Sequence, residues 1–209
     1  MIYHAKSGYR RVAHETVREK MVLSPSEEEV RRLFDVVRGD RTREGRDAYK
    51  LFRVLANLGP RIAEALRLGA SNFTYLDSYH AYTMEVQKKK GGLQTLSFPV
   101  SEGEEAMLHR LLLEETYTQE RRLFWFGVRR AQYLFSHYVA AARVRPILSP
   151  HAMRRFMSAQ ITAYTGDHFL SKLRLGHELS KGDATLGYNI HAYTPEFQRK
   201  KLGMKPVYE

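Results

Sequence analysis

The sequence predicts an α+β fold, mostly helical, with one small antiparallel β-hairpin or sheet. Three observations predict it. Apolar residues recur at three- and four-residue spacing over most of the chain, as on the buried faces of helices. One interval, residues 72–100, replaces that spacing with alternating aromatic and β-branched residues around a KKKGG turn. The order is therefore helices, hairpin, helices, with no internal repeat, and this favours segregated α+β layers over βαβ units. At 209 residues and 43% hydrophobic content, one domain with a real core is expected.

Each element follows from local chemistry. Residues 1–23 are basic, rich in His and Arg, and weakly periodic, so they read as a tail or linker. In LSPSEEEVRRLFDVV, Ser24 or Ser26 can cap a helix, Pro25 suits a first turn, and three Glu favour the positive end of the helix dipole. Val30, Leu33, Phe34 and Val37 supply its apolar face, and GDRTREGRD then reads as a charged loop. Residues 47–68 read as two helices broken at Gly59-Pro60. Leu51, Val54, Leu55 and Leu58 face the core from the first, and Ile62, Ala65, Leu66 and Leu68 from the second. FTYLDSYHAYTMEV and LQTLSFPV read as two strands joined by a basic tip. EEAMLHRLLLEETY, the segment Arg129–Ala142 and the part from Ser149 onward return to helix.

The 34 Lys+Arg against 23 Asp+Glu give a net charge of +11, which favours polyanionic partners. Nucleic acid is the leading class and an anionic membrane surface the runner-up. No apolar run approaches the roughly 20 residues of a spanning helix, and MIYHAKSGYRRV lacks the apolar stretch of a signal peptide. A soluble, cytoplasmic protein, free of membrane and associated with the nucleoid or with a host cell's cytoplasm, is expected. The absence of Cys removes disulfides, thiolate nucleophiles and Cys-based zinc sites. The nine His include no H-E-x-x-H pair, so no metal is expected.

Candidate site residues cluster in the second half. In SPHAMRRF, His151 and Arg154 lie three apart in the first turns of a helix and share a side of it. Arg cannot lose its charge and forks onto phosphate oxygens, whereas His moves protons near neutral pH. His177, in RLGH, follows Arg154 by 23 positions, and Tyr188 follows in ATLGY. A phenol can serve as a covalent nucleophile. Upstream, Arg61 opens a helix after the Gly-Pro break, where backbone amides also point at anions, with Glu64 as its i+3 neighbour. Lys88, Lys89 and Lys90 crowd the hairpin tip. Taken singly, each is also an ordinary surface residue: a solvated Arg154-Arg155 face, an Arg61–Glu64 ion pair, Lys that keep a turn soluble.

Together, their order carries a signal. The chain reads Gly-x-Arg-x-x-Glu, hairpin Lys, His-x-x-Arg, Leu-Gly-His, then Tyr. This order resembles the catalytic domain of tyrosine recombinases, the phage-integrase and Xer-like family, over residues 24–200. LGPRIAEALRL is similar to the family's first Arg box, with Gly59, Arg61 and Glu64 in place, and SPHAMRRF to its second. Two departures stand out. HELSKGDATLGY is slightly longer than the family's usual interval, and Arg155 stands where the family often has His.

The resemblance implies a site-specific recombinase or integrase, of the mobile-element kind, acting on double-stranded DNA. Tyr188 would form a 3′-phosphotyrosine, with Tyr193 as the competing nucleophile. Arg61 and Arg154 would hold the phosphate. Lys90, or less favourably Lys89, would protonate the leaving oxygen, and His151 and His177 would transfer protons. Lys88, Lys89 and Arg155 would touch DNA. No cofactor is implied. Residues 24–209 would form the catalytic domain, without the separate N-terminal DNA-clamping domain of the full enzymes. A monomer in isolation and a homo-tetramer on DNA are expected. Relaxation of DNA in the manner of a type IB topoisomerase, or a non-catalytic basic DNA-binding module, are the alternatives.

Overall fold

The computed structural model describes residues 24–76, 81–87, 92–99, 105–106, 108–112, 122–145 and 148–175. Six α-helices and three strands lie within them: α1 (Glu27–Gly39), α2 (Arg43–Leu58), α3 (Ile62–Ala65), β1 (Phe73–Leu76), β2 (Ala81–Gln87), β3 (Leu93–Pro99), α4 (Val128–Ala141), α5 (Pro150–Thr165) and α6 (His168–Arg174). Residues 105–106 and 108–112 are also helical. The α+β, mostly helical expectation holds.

Two boundaries differ from the sequence expectation. FTYLDSYHAYTMEV makes two strands, β1 and β2, so the sheet has three strands in the order β1-β2-β3. Both pairings are antiparallel, with Phe73 opposite Met84 and Gln87 opposite Leu93. The interval between Leu76 and Ala81 carries Asp77 and Ser78, residues that compete with strand pairing and favour turns. The charged loop GDRTREGRD is largely helix, because Thr42 accepts a hydrogen bond from the Gly45 amide at 3.0 Å and caps α2 there.

Helix α1 begins on a capping box. Ser26 Oγ accepts from the Glu29 amide at 3.2 Å, and Glu29 Oε2 accepts from the Ser26 amide at 2.8 Å. Ser26, rather than Ser24, is the cap, and Pro25 stands ahead of the helix. Glu29 also receives Arg145, four residues beyond the end of α4, Nε to Oε1 and Nη2 to Oε2, both at 2.6 Å. Arg145 Nη2 further donates to the Ser24 carbonyl at 2.7 Å, so one guanidinium ties Ser24 and the start of α1 to the turn after α4. This forked pair is the first cause that lowers the Glu29 carboxyl to about 2.

The apolar faces read from sequence meet in the core. Val30, Leu33, Phe34 and Val37 of α1 and Leu51, Val54, Leu55 and Leu58 of α2 are buried. Phe52 of α2 meets Phe135 and Tyr138 of α4 edge-on, at centroid distances of 5.1 and 6.1 Å. Tyr138 then donates to Asp40 at 2.7 Å. On β2, Tyr82, Met84 and Val86 are buried while Glu85 between them is exposed, the period-two pattern of a half-covered strand. His109 packs edge-on against Tyr75 and Tyr82, which sets the helical residues 108–112 against the sheet. A smaller apolar cluster of Met157, Ile161, Leu170 and Leu175 joins α5 to α6.

Candidate active site

Helix α2 ends at Gly59, whose φ of 67° is left-handed, with its amide bonded to the Leu55 carbonyl at 3.2 Å. Only glycine adopts this geometry without strain. Space is tight as well: a Cβ on Gly59 would press on the flexible end of Met157 and lie 3.2 Å from Leu175 Cδ2. Pro60 then turns the chain out of the helix, and Arg61 caps the short helix α3.

Glu64 holds Arg61 at both ends. Its Oε2 accepts from the Arg61 amide at 2.8 Å and its Oε1 accepts from Arg61 Nη1 at 2.9 Å. The Arg61 side chain is 56% exposed, whereas that of Glu64 is 8% exposed. A buried carboxylate thus positions an exposed guanidinium. The ion pair foreseen as the ordinary role of Arg61 is present, and it still leaves the charged tip at the surface.

Arg154 sits in the second turn of α5. Ser149 is the N-cap of that helix and Pro150 its first residue. Arg154 is only 5% exposed. Its Nη1 donates to the Gly59 carbonyl and its Nη2 to the Leu175 carbonyl at 2.7 Å. Two of its five N–H donors therefore lock the guanidinium plane against the ends of α2 and α6. Burial first, and the positive charge of Arg61 second, lower its pKa to about 10, with Glu64 opposing both. Two guanidinium charges are held close enough to repel, one buried and one at the surface. Such an arrangement is relieved by an anion.

His151, three residues before Arg154, is exposed on the first turn of α5, and Arg155 is half-buried. The structure thus brings Arg61, Glu64 and Arg154 together around the Gly59 corner and carries His151 on the same helix as Arg154. Lys88, Lys89, Lys90, His177, Tyr188 and Tyr193 lie outside the described residues. Among the described residues, no group of three or more His, Asp or Glu is placed to hold a metal ion, and no helix is long and apolar enough to cross a membrane.

Sequence reasoning missed the two carbonyls that fix Arg154. Carbonyls carry no sequence signature, although the Gly-Pro break marked one of the two places. It also missed Met157, whose terminal methyl fills the space beside Gly59.

No family model and no curated protein matches the sequence. Solved structures do match the fold. A XerH site-specific recombinase bound to its difH substrate superimposes with a TM-score of 0.59 at 16% identity, over 81% of this chain and 51% of that one. The fold is that of the tyrosine recombinase catalytic domain. The Tn1549 transposon integrase in complex with circular intermediate DNA gives a TM-score of 0.58 at 14% identity, over 85% of this chain and 64% of that one. An Flpe–Holliday junction complex gives 0.56 at 12% identity, over 93% of this chain and 55% of that one. The chain therefore spans about half to two thirds of the length of these tyrosine recombinase structures. At such identities the shared property is the fold.

Proposed function

We propose that this chain is the catalytic domain of a site-specific recombinase or integrase that cleaves and rejoins duplex DNA through a 3′-phosphotyrosine. The observation that carries the proposal is the corner at Gly59, where a buried, doubly bonded Arg154 stands against an Arg61 positioned by Glu64. A pair of fixed cations suits the charge that grows on the nonbridging oxygens of a pentacoordinate phosphorus. The DNA-bound neighbours and the net charge of +11 add support for duplex DNA as the partner.

In this reading the Tyr188 oxygen attacks phosphorus, and the bond from phosphorus to the 5′-oxygen breaks. Lys90 protonates that oxygen, with Lys89 next in line for the role. His151 and His177 take up the phenolic proton and hydrogen-bond the phosphate. The phosphotyrosine conserves the bond energy, and a 5′-hydroxyl then attacks it and releases the tyrosine, so the cycle needs neither ATP nor metal. Lys88, Lys89 and Arg155 contribute to the DNA grip. A homo-tetramer assembled on DNA, and a role in mobile-element movement, complete the proposal.

A nicked duplex that traps the covalent intermediate, run on a denaturing gel, tests it. A protein–DNA band that disappears in Tyr188→Phe is expected. Loss in Tyr193→Phe instead would move the nucleophile. Arg61→Ala is the cleanest arginine variant, because its side chain is mostly exposed, and a fall of about 10²–10³ in cleavage rate with DNA affinity largely kept is expected. Arg154→Lys should behave likewise. Cleavage at the wild-type rate by both variants would refute the assignment, and binding with no covalent band would favour a non-catalytic DNA-binding module.

A further inference from the structure

A cavity of about 310 Å³ opens between α1, α2 and the helical residues 108–112. Its cations come from three separate segments. Arg38 stands in the last turn of α1, Arg46, Lys50 and Arg53 step along one face of α2 at spacings of three and four, and Arg110 enters from the helical segment 108–112. Asp40 is the carboxylate of the lining, and both its oxygens are engaged, Oδ2 by Tyr138 at 2.7 Å and Oδ1 by the Thr42 amide at 2.9 Å. The lining therefore carries a marked positive excess in a concave space.

Tyr49 sharpens this. Arg38 and Arg53 each lie 5.6 Å from the centroid of its ring, which keeps the two guanidiniums within about 11 Å of each other. Arg38 also donates Nε and Nη2 to the Tyr49 hydroxyl, at 3.2 and 2.9 Å. A neutral phenol oxygen is a weak acceptor for a charged fork, and a phosphate oxygen is a far better one. The phenol thus holds one guanidinium by its hydroxyl while the second lies over the same ring. Four of the five cations are Arg, whose planar fork fits phosphate, and the volume exceeds what a single carboxylate fills.

We propose that this cavity, bounded by α1, α2 and the helical segment 108–112, is a second phosphate-binding site, built for a ligand that presents two adjacent phosphoryl or phosphodiester groups. The site is separate from the Gly59 corner and does not depend on the recombinase reading. Its ligand is either a stretch of nucleic-acid backbone or a free polyphosphate, and both offer the same chemistry to the cavity.

Inorganic pyrophosphate titrated calorimetrically into the full chain is the probe. Saturable binding is expected, weakened at least about ten-fold in Arg46→Glu/Arg110→Glu. Arg31→Glu/Arg32→Glu changes the net charge equally at exposed positions of α1 outside the cavity, and should bind as wild type does. Equal weakening in both double variants, or no saturable binding, would overturn the site. Binding of a hexaglutamate peptide as tight as that of pyrophosphate would overturn its phosphate chemistry. Circular dichroism of each variant checks the fold. Protection of Lys50 from carbamylation by pyrophosphate in the wild-type chain gives a readout that needs no substitution.

A duplex oligonucleotide separates the two sources. Displacement of pyrophosphate by DNA, with a shallower salt dependence of DNA binding in Arg46→Glu/Arg110→Glu, assigns the site to the nucleic-acid backbone. Simultaneous binding of both assigns it to a free polyphosphate. Because this readout is equilibrium binding, it stands apart from the covalent-band assay of the cleavage reaction.

Discussion

Gly59→Ala isolates the corner on which the candidate site is built. The alanine must hold a φ of 67°, which costs an L-residue roughly 1–2 kcal/mol. Its Cβ must also displace Met157 Cε from 2.2 Å and press on Leu175 Cδ2 at 3.2 Å. Met157 is flexible and can give way, so the overpacking adds about 1–2 kcal/mol, towards the lower end of such penalties. A total of about 2–4 kcal/mol follows, measured by urea unfolding of the wild type, Gly59→Ala, Met157→Ala and the double variant. In the Met157→Ala background only the backbone strain and the milder Leu175 contact remain, so Gly59→Ala should cost about 1 kcal/mol less there than in the wild type. The same cost in both backgrounds, or a cost below about 0.5 kcal/mol in the wild type, would refute the packing argument. The covalent-band assay on Gly59→Ala adds a functional arm, because moving this carbonyl moves an acceptor of Arg154.

Removing the α1 cap with Ser26→Ala should cost about 1 kcal/mol by thermal or urea unfolding, and a neutral result would show that the capping box contributes nothing. Glu29 has a folded pKa of about 2 against 4.5 unfolded, so its contribution is complete above pH 4.5 and is lost as pH falls toward 2. Allowing for the partly exposed Arg145, that contribution is about 1–2 kcal/mol, and Glu29→Gln should flatten this part of the stability–pH curve. An unchanged curve would refute the pair. Phe52→Ala should cost about 3–5 kcal/mol by removing the edge contacts to Phe135 and Tyr138, with denaturant titration as the check.

Much of the architecture was legible because burial imposes a period. Val30, Leu33, Phe34 and Val37 announced α1, and the alternation along FTYLDSYHAYTMEV announced strand. Local chemistry misled where a short signal was outvoted. GDRTREGRD is polar throughout, yet a single Thr42 cap is enough to begin α2 inside it. DSYH was read through as strand, whereas β1 ends at Leu76. The Arg61–Glu64 pair was legible because both members lie within one helical turn. The burial of Arg154 was not, since a His-x-x-Arg spacing leaves open which side of a helix meets the core. That was decided by its neighbours Met153, Phe156 and Met157, all buried, and by carbonyls 95 and 21 positions away. The Arg145–Glu29 clasp, 116 positions apart, has the same character.

Those long separations also set the order of events in folding. The Arg154–Gly59 bond spans 95 positions and needs α5 docked on α2. Contacts of high sequence separation pay their loop-closure entropy before they return stability. The helices α1 and α2, by contrast, are neighbours in sequence and pair locally. The Gly59 corner is thus expected to form late in folding. Substitutions at Arg154 should speed unfolding and leave the folding rate nearly unchanged, and an intermediate that holds α1 and α2 alone has no phosphate clamp at that corner.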